Sequence, residues 1–194
     1  MIKAILKGTL IGGVLAFALS AVSWMMLPYH EQTLKHLKDE DSVRAVLKEN
    51  AAEGGVYLLP CPEPQAPGAT AEQKKAAMDA AHKKAAEGGN ALIAYSPAKA
   101  DPQMKLELAR GLGIHLAGAF LMSLLLLTAS GTGYIRRVLL VTFAAAAGAV
   151  MNQLPYWNWF YFSREFALVQ ILDQTAIWLA SGIVMAALVP GKGK

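Results

Sequence analysis

Four long apolar stretches interrupt an otherwise polar chain, at 8–27, 108–129, 138–154 and 166–189. An α-helix needs about 20 apolar residues to cross a hydrocarbon core of roughly 30 Å. All four stretches qualify. The third is the shortest, and its continuation, 155–163, reads as an aromatic segment at the membrane–water interface. The first stretch carries Lys3 and Lys7 before it and small residues, Ala18 and Ser20, in cleavage-like spacing. Its apolar run continues through Trp24 to Leu27, too long for a typical cleaved signal, so it reads as a signal anchor.

Between the first two spans lies a polar stretch, 31–105, with two helix signals. Asp41 or Ser42 can cap a helix running to about Ala52. Thr70 with Gln73 forms a capping box ahead of the Ala/Lys-rich stretch 71–87. Both stretches end in Ala-Ala-Glu-Gly-Gly, at 51–55 and 85–89, where glycine can take the left-handed conformation that stops a helix. A short apolar run ending before proline follows each: Val56 to Leu59 before Pro60, and Ala91 to Tyr95 before Ser96-Pro97. Both read as strands. The predicted fold is therefore a membrane all-α four-helix bundle with a small α+β insert, helix–strand–helix–strand, between helices 1 and 2. Its parts are 1–30, the first span; 31–105, the insert; and 106–194, spans 2–4 with the outer aromatic segment. A core of two short strands and two helices is small, and such a unit is expected to lean on the membrane helices or on a partner.

Composition and charge sharpen this picture. Hydrophobic residues make up 55% of the 194 and charged residues only 16%, below the roughly 25% of a soluble domain. The net charge of +4 is a matter of location. Lys3, Lys7, Arg136, Arg137, Lys192 and Lys194 flank the apolar spans on one side of a four-span arrangement. Residues 31–110 carry 11 Lys/Arg against 12 Asp/Glu and are nearly neutral. Basic residues in short loops mark the cytoplasmic side, which predicts both termini in the cytoplasm and the insert outside. Trp24 at the end of span 1, with Trp157 and Trp159 in the loop between spans 3 and 4, suits the opposite interface. The basic balance is thus a topology signal and not a nucleic-acid footprint, which needs charge clustered on one face.

Ionisable and amide groups inside a span are costly and face protein more often than lipid. His115 in span 2 and Asp173 in span 4 each lie about seven residues from the outer end. Asn152 and Gln153 come near the outer end of span 3, and Gln170 shares a polar stripe with Asp173, Gln174 and Ser181. These residues, His115, Asn152, Gln153, Gln170 and Asp173, form the candidate intramembrane cluster. It reads either as interhelical glue, with Asp173 protonated or paired to His115, or as a small polar site for a proton, an ion or a headgroup.

Other chemistry is absent from the sequence pattern. There is no G-x-S-x-G, H-E-x-x-H or P-loop. Cys61 is the only cysteine and makes no internal disulfide. A membrane haem needs two histidines on facing helices, and His115 alone lies within a span, with His30 just past span 1. His36 and His82 lack partners at metal spacing. No cofactor or metal is expected.

The segment Ser23-Trp24-Met25-Met26-Leu27-Pro28-Tyr29-His30, followed by Asp39-Glu40 and then Gly55-Val56-Tyr57-Leu58-Leu59-Pro60, resembles a group of small bacterial inner-membrane proteins. In that group a first span ends Trp-Met-x-Leu-Pro-x-His and a strand reads Gly-Val-Tyr-x-Leu-Pro. The resemblance covers roughly the first 60 residues and the span layout. It implies a bacterial inner membrane and carries no activity; the stretch 71–87 looks like an insertion relative to the group. The absence of catalytic motifs then favours a non-catalytic accessory or assembly subunit of an inner-membrane complex, contacting membrane lipids and a membrane-protein partner or a second copy. The alternative is a small transporter or membrane enzyme handling a lipid or small solute at His115, Asn152 and Asp173.

Overall fold

The computed structural model describes residues 1–98, 100–129 and 131–189; Lys192 and Lys194 lie outside them. The element order is α1 (Ile2–Met26), a 3-10 turn (Glu31–Thr33), α2 (Glu40–Asn50), β1 (Gly55–Leu59), α3 (Ala71–Gly88), β2 (Ala91–Tyr95), α4 (Lys105–Thr128), α5 (Tyr134–Phe160) and α6 (Arg164–Leu188). The chain divides into two compact units. One comprises Met1–Lys35, Ala100–Trp157 and Phe162–Lys194, and the other His36–Lys99 with Asn158–Tyr161.

In the first unit, α1, α4, α5 and α6 are each long and apolar enough to cross a membrane. The chain is accordingly a multi-pass membrane protein. Helix α1 packs against α4 and α6, and its small residues allow the approach. A Cβ placed on Gly13 would lie 2.9 Å from the Leu116 backbone, and one on Gly12 would meet Met185 at 2.5 Å. Ala16, Ala119, Leu126, Val141, Ile177, Trp178 and Met185 form the buried core between the helices.

Helix α5 is longer than its apolar run. It continues through Pro155 to Phe160, where the sequence suggests a separate interfacial segment from 155. A proline lacks one N–H and strains one turn, and here the helix absorbs it. At its other end α5 is clamped to α6. Arg137 donates from Nη1 to the Ala186 carbonyl at 3.0 Å and from Nη2 to that of Val189, while Tyr134 OH donates to Ile183 O at 2.8 Å. The last carbonyls of a helix have no partner within it, and a guanidinium fork satisfies two of them while complementing the helix dipole.

In the second unit, β1 and β2 pair antiparallel with Tyr57 opposite Ile93, as the two apolar runs predict. The Thr70–Gln73 capping box of α3 is complete, with both reciprocal bonds formed. The cap of α2 differs from the expected Asp41 or Ser42. Asp39 is the cap, accepting from the Ser42 backbone N–H at 3.0 Å and from its hydroxyl at 2.6 Å. These bonds, the hydroxyl's first, hold the Asp39 carboxyl below the usual carboxylate range. The two Ala-Ala-Glu-Gly-Gly segments also diverge. Gly89 ends α3 with φ +82°, whereas α2 stops at Asn50 and Ala51 is already extended. Among the described residues of this unit only Ala51 and Ala81 are buried. An apolar groove of about 590 Å³ opens between α2 and the sheet, lined by Val43, Val46, Leu47, Leu58, Leu59 and Ile93.

Candidate functional site

Two polar constellations lie within the membrane-length helices. The first is a buried hydrogen-bond network joining the end of α1 to α6. Ser23, one turn before that end, donates to Asp173 Oδ1 at 2.6 Å, and Tyr29 OH donates to the same oxygen at 3.0 Å. His30 Nε2 lies 3.3 Å from Asp173 Oδ2 and 2.9 Å from Ser23 Oγ. Gln170 Nε2 reaches His30 Nδ1 at 3.4 Å, a long contact that places the histidine proton on Nε2, facing the carboxylate. The Trp24 ring stacks on His30 at 3.9 Å with 11° between planes. The Leu27-Pro28 step makes this possible. Leu27 is extended, ends α1, and the following turn folds Tyr29 and His30 back toward α6.

Serine, histidine and aspartate are all present, but not as a nucleophilic triad. A triad uses one imidazole nitrogen for the serine and the other for the carboxylate. Here Nε2 faces both, and the serine proton goes to Asp173. The arrangement holds a carboxylate with three donors inside a span, which offsets the cost of removing it from water.

The second constellation is a cleft of about 450 Å³ between α4, α5 and α6. Its polar wall is His115, Asn152, Gln153, Gln170 and Gln174, and its apolar wall includes Ile114, Met122 and Trp178. The cleft exists because the α5 side of it is Ala144, Ala145, Gly148 and Ala149, whose side chains are too short to fill the gap. His115 is ten positions into α4, Gln174 ten into α6, and Asn152 eight from the end of α5. At ~1.5 Å per residue these are similar depths.

The expected cluster is therefore split. His115, Asn152, Gln153 and Gln170 line the cleft, whereas Asp173 belongs to the buried network and pairs with His30, not His115. His115 Nδ1 instead donates to the Gly111 carbonyl at 2.8 Å. Gln170 touches both constellations. Ser23 and Tyr29 are the network residues that the polar pattern of the spans does not single out. Position 30 was visible as a histidine just past a span, but its fold-back depends on the turn at Pro28. Trp159 is an exposed ring, and Trp24 and Trp157 are each about half exposed. Among the described residues no group of three or more His, Cys, Asp or Glu could hold a metal ion. His36 lies at the surface beside Glu40, 3.9 Å away.

A scan of protein-family models and searches of curated proteins and solved structures find no match to this chain. The functional reading rests on the site alone.

Proposed function

We propose that this chain is a non-enzymatic membrane protein that binds the polar part of a lipid or small solute in the α4–α5–α6 cleft. One observation carries the reading. Among the described residues, neither Gln174 nor the Asn152 amide nitrogen has a hydrogen-bond partner; both side chains are exposed and line the cleft on membrane-length helices, Asn152 near the end of its apolar run. An amide left unpaired in an apolar medium costs on the order of 2–7 kcal/mol. Carboxamides in such a place call for a polar occupant. The test is extraction of the purified full chain in nanodiscs, with mass spectrometry of bound small molecules. Wild type should carry a stoichiometric lipid or solute that Asn152→Leu with Gln174→Leu loses. Equal content in both would remove the cleft from consideration.

A second reading is the accessory or assembly subunit, in which a membrane-protein partner or a second copy is recognised. It is favoured by the second unit, where Val46 and Leu59 are 58% and 60% exposed beside an apolar groove. Exposed apolar surface of this kind marks association. Co-purification of a stoichiometric protein from native membrane, with no small molecule in the cleft, would favour it over the first.

For both readings we place the chain in a bacterial inner membrane as a four-helix bundle. Both ends are cytoplasmic and residues 31–105 form a periplasmic insert. The support is the basic flanks at Lys3, Lys7, Arg136 and Arg137 and the outer aromatics. Cys61, exposed and the only cysteine, reports on this directly. A membrane-impermeant thiol reagent should label it in spheroplasts; protection until lysis would reverse the orientation.

A further inference from the structure

The fold dictates the tautomer of His115. A backbone carbonyl oxygen only accepts, so the 2.8 Å contact with Gly111 O puts the proton on Nδ1. In the neutral ring Nε2 is then an acceptor, and among the described residues no donor reaches it. Asn152 is oriented in the opposite sense. Its Oδ1 accepts from Gln153 Nε2 at 3.1 Å, which leaves the amide hydrogens as the free donor. The cleft thus presents a lone acceptor from α4 and an amide donor from α5, beside the Gln174 carboxamide, which offers both. Its lining contains no Lys, Arg, Asp or Glu.

Resting on the reading of this cleft as a binding site, we propose that its ligand is recognised through a neutral hydroxyl group, whose O–H donates to His115 Nε2 and whose oxygen accepts from Asn152 Nδ2. The ligand class is an uncharged hydroxyl-bearing molecule: the glycerol of an acylglycerol, a sugar headgroup, or a free polyol. Phosphate, carboxylate and ammonium groups are disfavoured, because the lining offers no opposite charge to repay their desolvation. Ester and quinone carbonyls can accept from Asn152 but cannot donate, and so leave His115 Nε2 unpaired. Trp178, Met122 and Ile114 supply the apolar wall for an acyl chain or a sugar ring face.

The test uses the full chain in phosphatidylcholine nanodiscs with three probes: 1-monooleoylglycerol, its di-O-methyl ether, and glycerol. Binding is read by native mass spectrometry for the lipids and by saturation-transfer NMR for glycerol. The alcohol should bind about tenfold more tightly than the ether, which cannot donate and leaves the acceptor unpaired. His115→Phe should bring the two to the same affinity. If that variant does not fold, Asn152→Leu removes the donor instead and should weaken the alcohol about tenfold. Glycerol binding on its own identifies a soluble source; a requirement for the acyl chain identifies a lipid one, and either supports the class. Equal binding of alcohol and ether to wild type overturns the hydroxyl class while leaving the cleft a binding site. Binding of none of the three overturns both.

Discussion

His30 Nε2 lies 3.3 Å from Asp173 Oδ2, with the two side chains 2% and 7% exposed. The pair is the centre of a network that ties the turn after α1 to the N-terminal half of α6. Ser23 and Tyr29 each add a bond to the other carboxylate oxygen. Asp173→Ala would leave three donors facing a gap, so it should destabilise the protein by about 3 kcal/mol. His30→Ala keeps two of the three donors on the carboxylate and should cost less. The double variant should cost less than the two single losses added, because the residues share partners. Unfolding of the purified protein in mild detergent checks all three.

The glycines of α1 should differ sharply in what an alanine costs. At Gly13 the new methyl would lie 2.9 Å from the Leu116 Cα and 3.2 Å from the His115 carbonyl oxygen. Backbone cannot move aside, so Gly13→Ala should separate α1 from α4 and cost about 2–3 kcal/mol. At Gly12 the nearest atoms belong to the flexible Met185 side chain, and the loss should be smaller. Gly148→Ala meets nothing within 4 Å and should leave stability unchanged. Melting temperatures in one detergent rank the three.

Arg136 and Arg137 are adjacent and carry the same charge, but only Arg137 is buried and bonded to the last turn of α6. Arg137→Lys preserves the charge and loses the fork, so it should destabilise by about 1–3 kcal/mol. Arg136→Lys should be neutral. Equal effects would mean that the clamp is not part of the stable fold.

Helix α2 should respond to acid through its cap. The Asp39 carboxyl is held below its ordinary range by Ser42. Its folded value is therefore the lower one, and the stabilisation is fully present above the unfolded value. It is lost as the pH falls through the folded value. Helical chemical shifts at 40–50 should hold at neutral pH and fade below the carboxylate range. In Asp39→Asn, which caps without titrating, they should not fade.

Much of this architecture is legible in the chain. The four apolar runs, the Thr70–Gln73 capping box and the strands before Pro60 and Pro97 depend on local pattern, and they recur in the structure. The end of α5 was hidden because Pro155 ordinarily signals a break. A polar cleft at the depth of His115 and Asn152 follows from helical rise and from the small residues of α5.

Sequence by itself determined where helices and strands form, because segment length, hydrophobic period and caps act within a few turns of chain. It also determined which polar residues fall within the spans: His115, Asn152, Gln170 and Asp173. Only the tertiary structure decided their partners. A turn at Pro28 brings His30 to Asp173, and His115, free of that pairing, bonds its own helix at Gly111. Which polar groups meet depends on helix rotation and on how closely glycine lets α1 approach its neighbours, and those are set by packing between segments far apart in the chain.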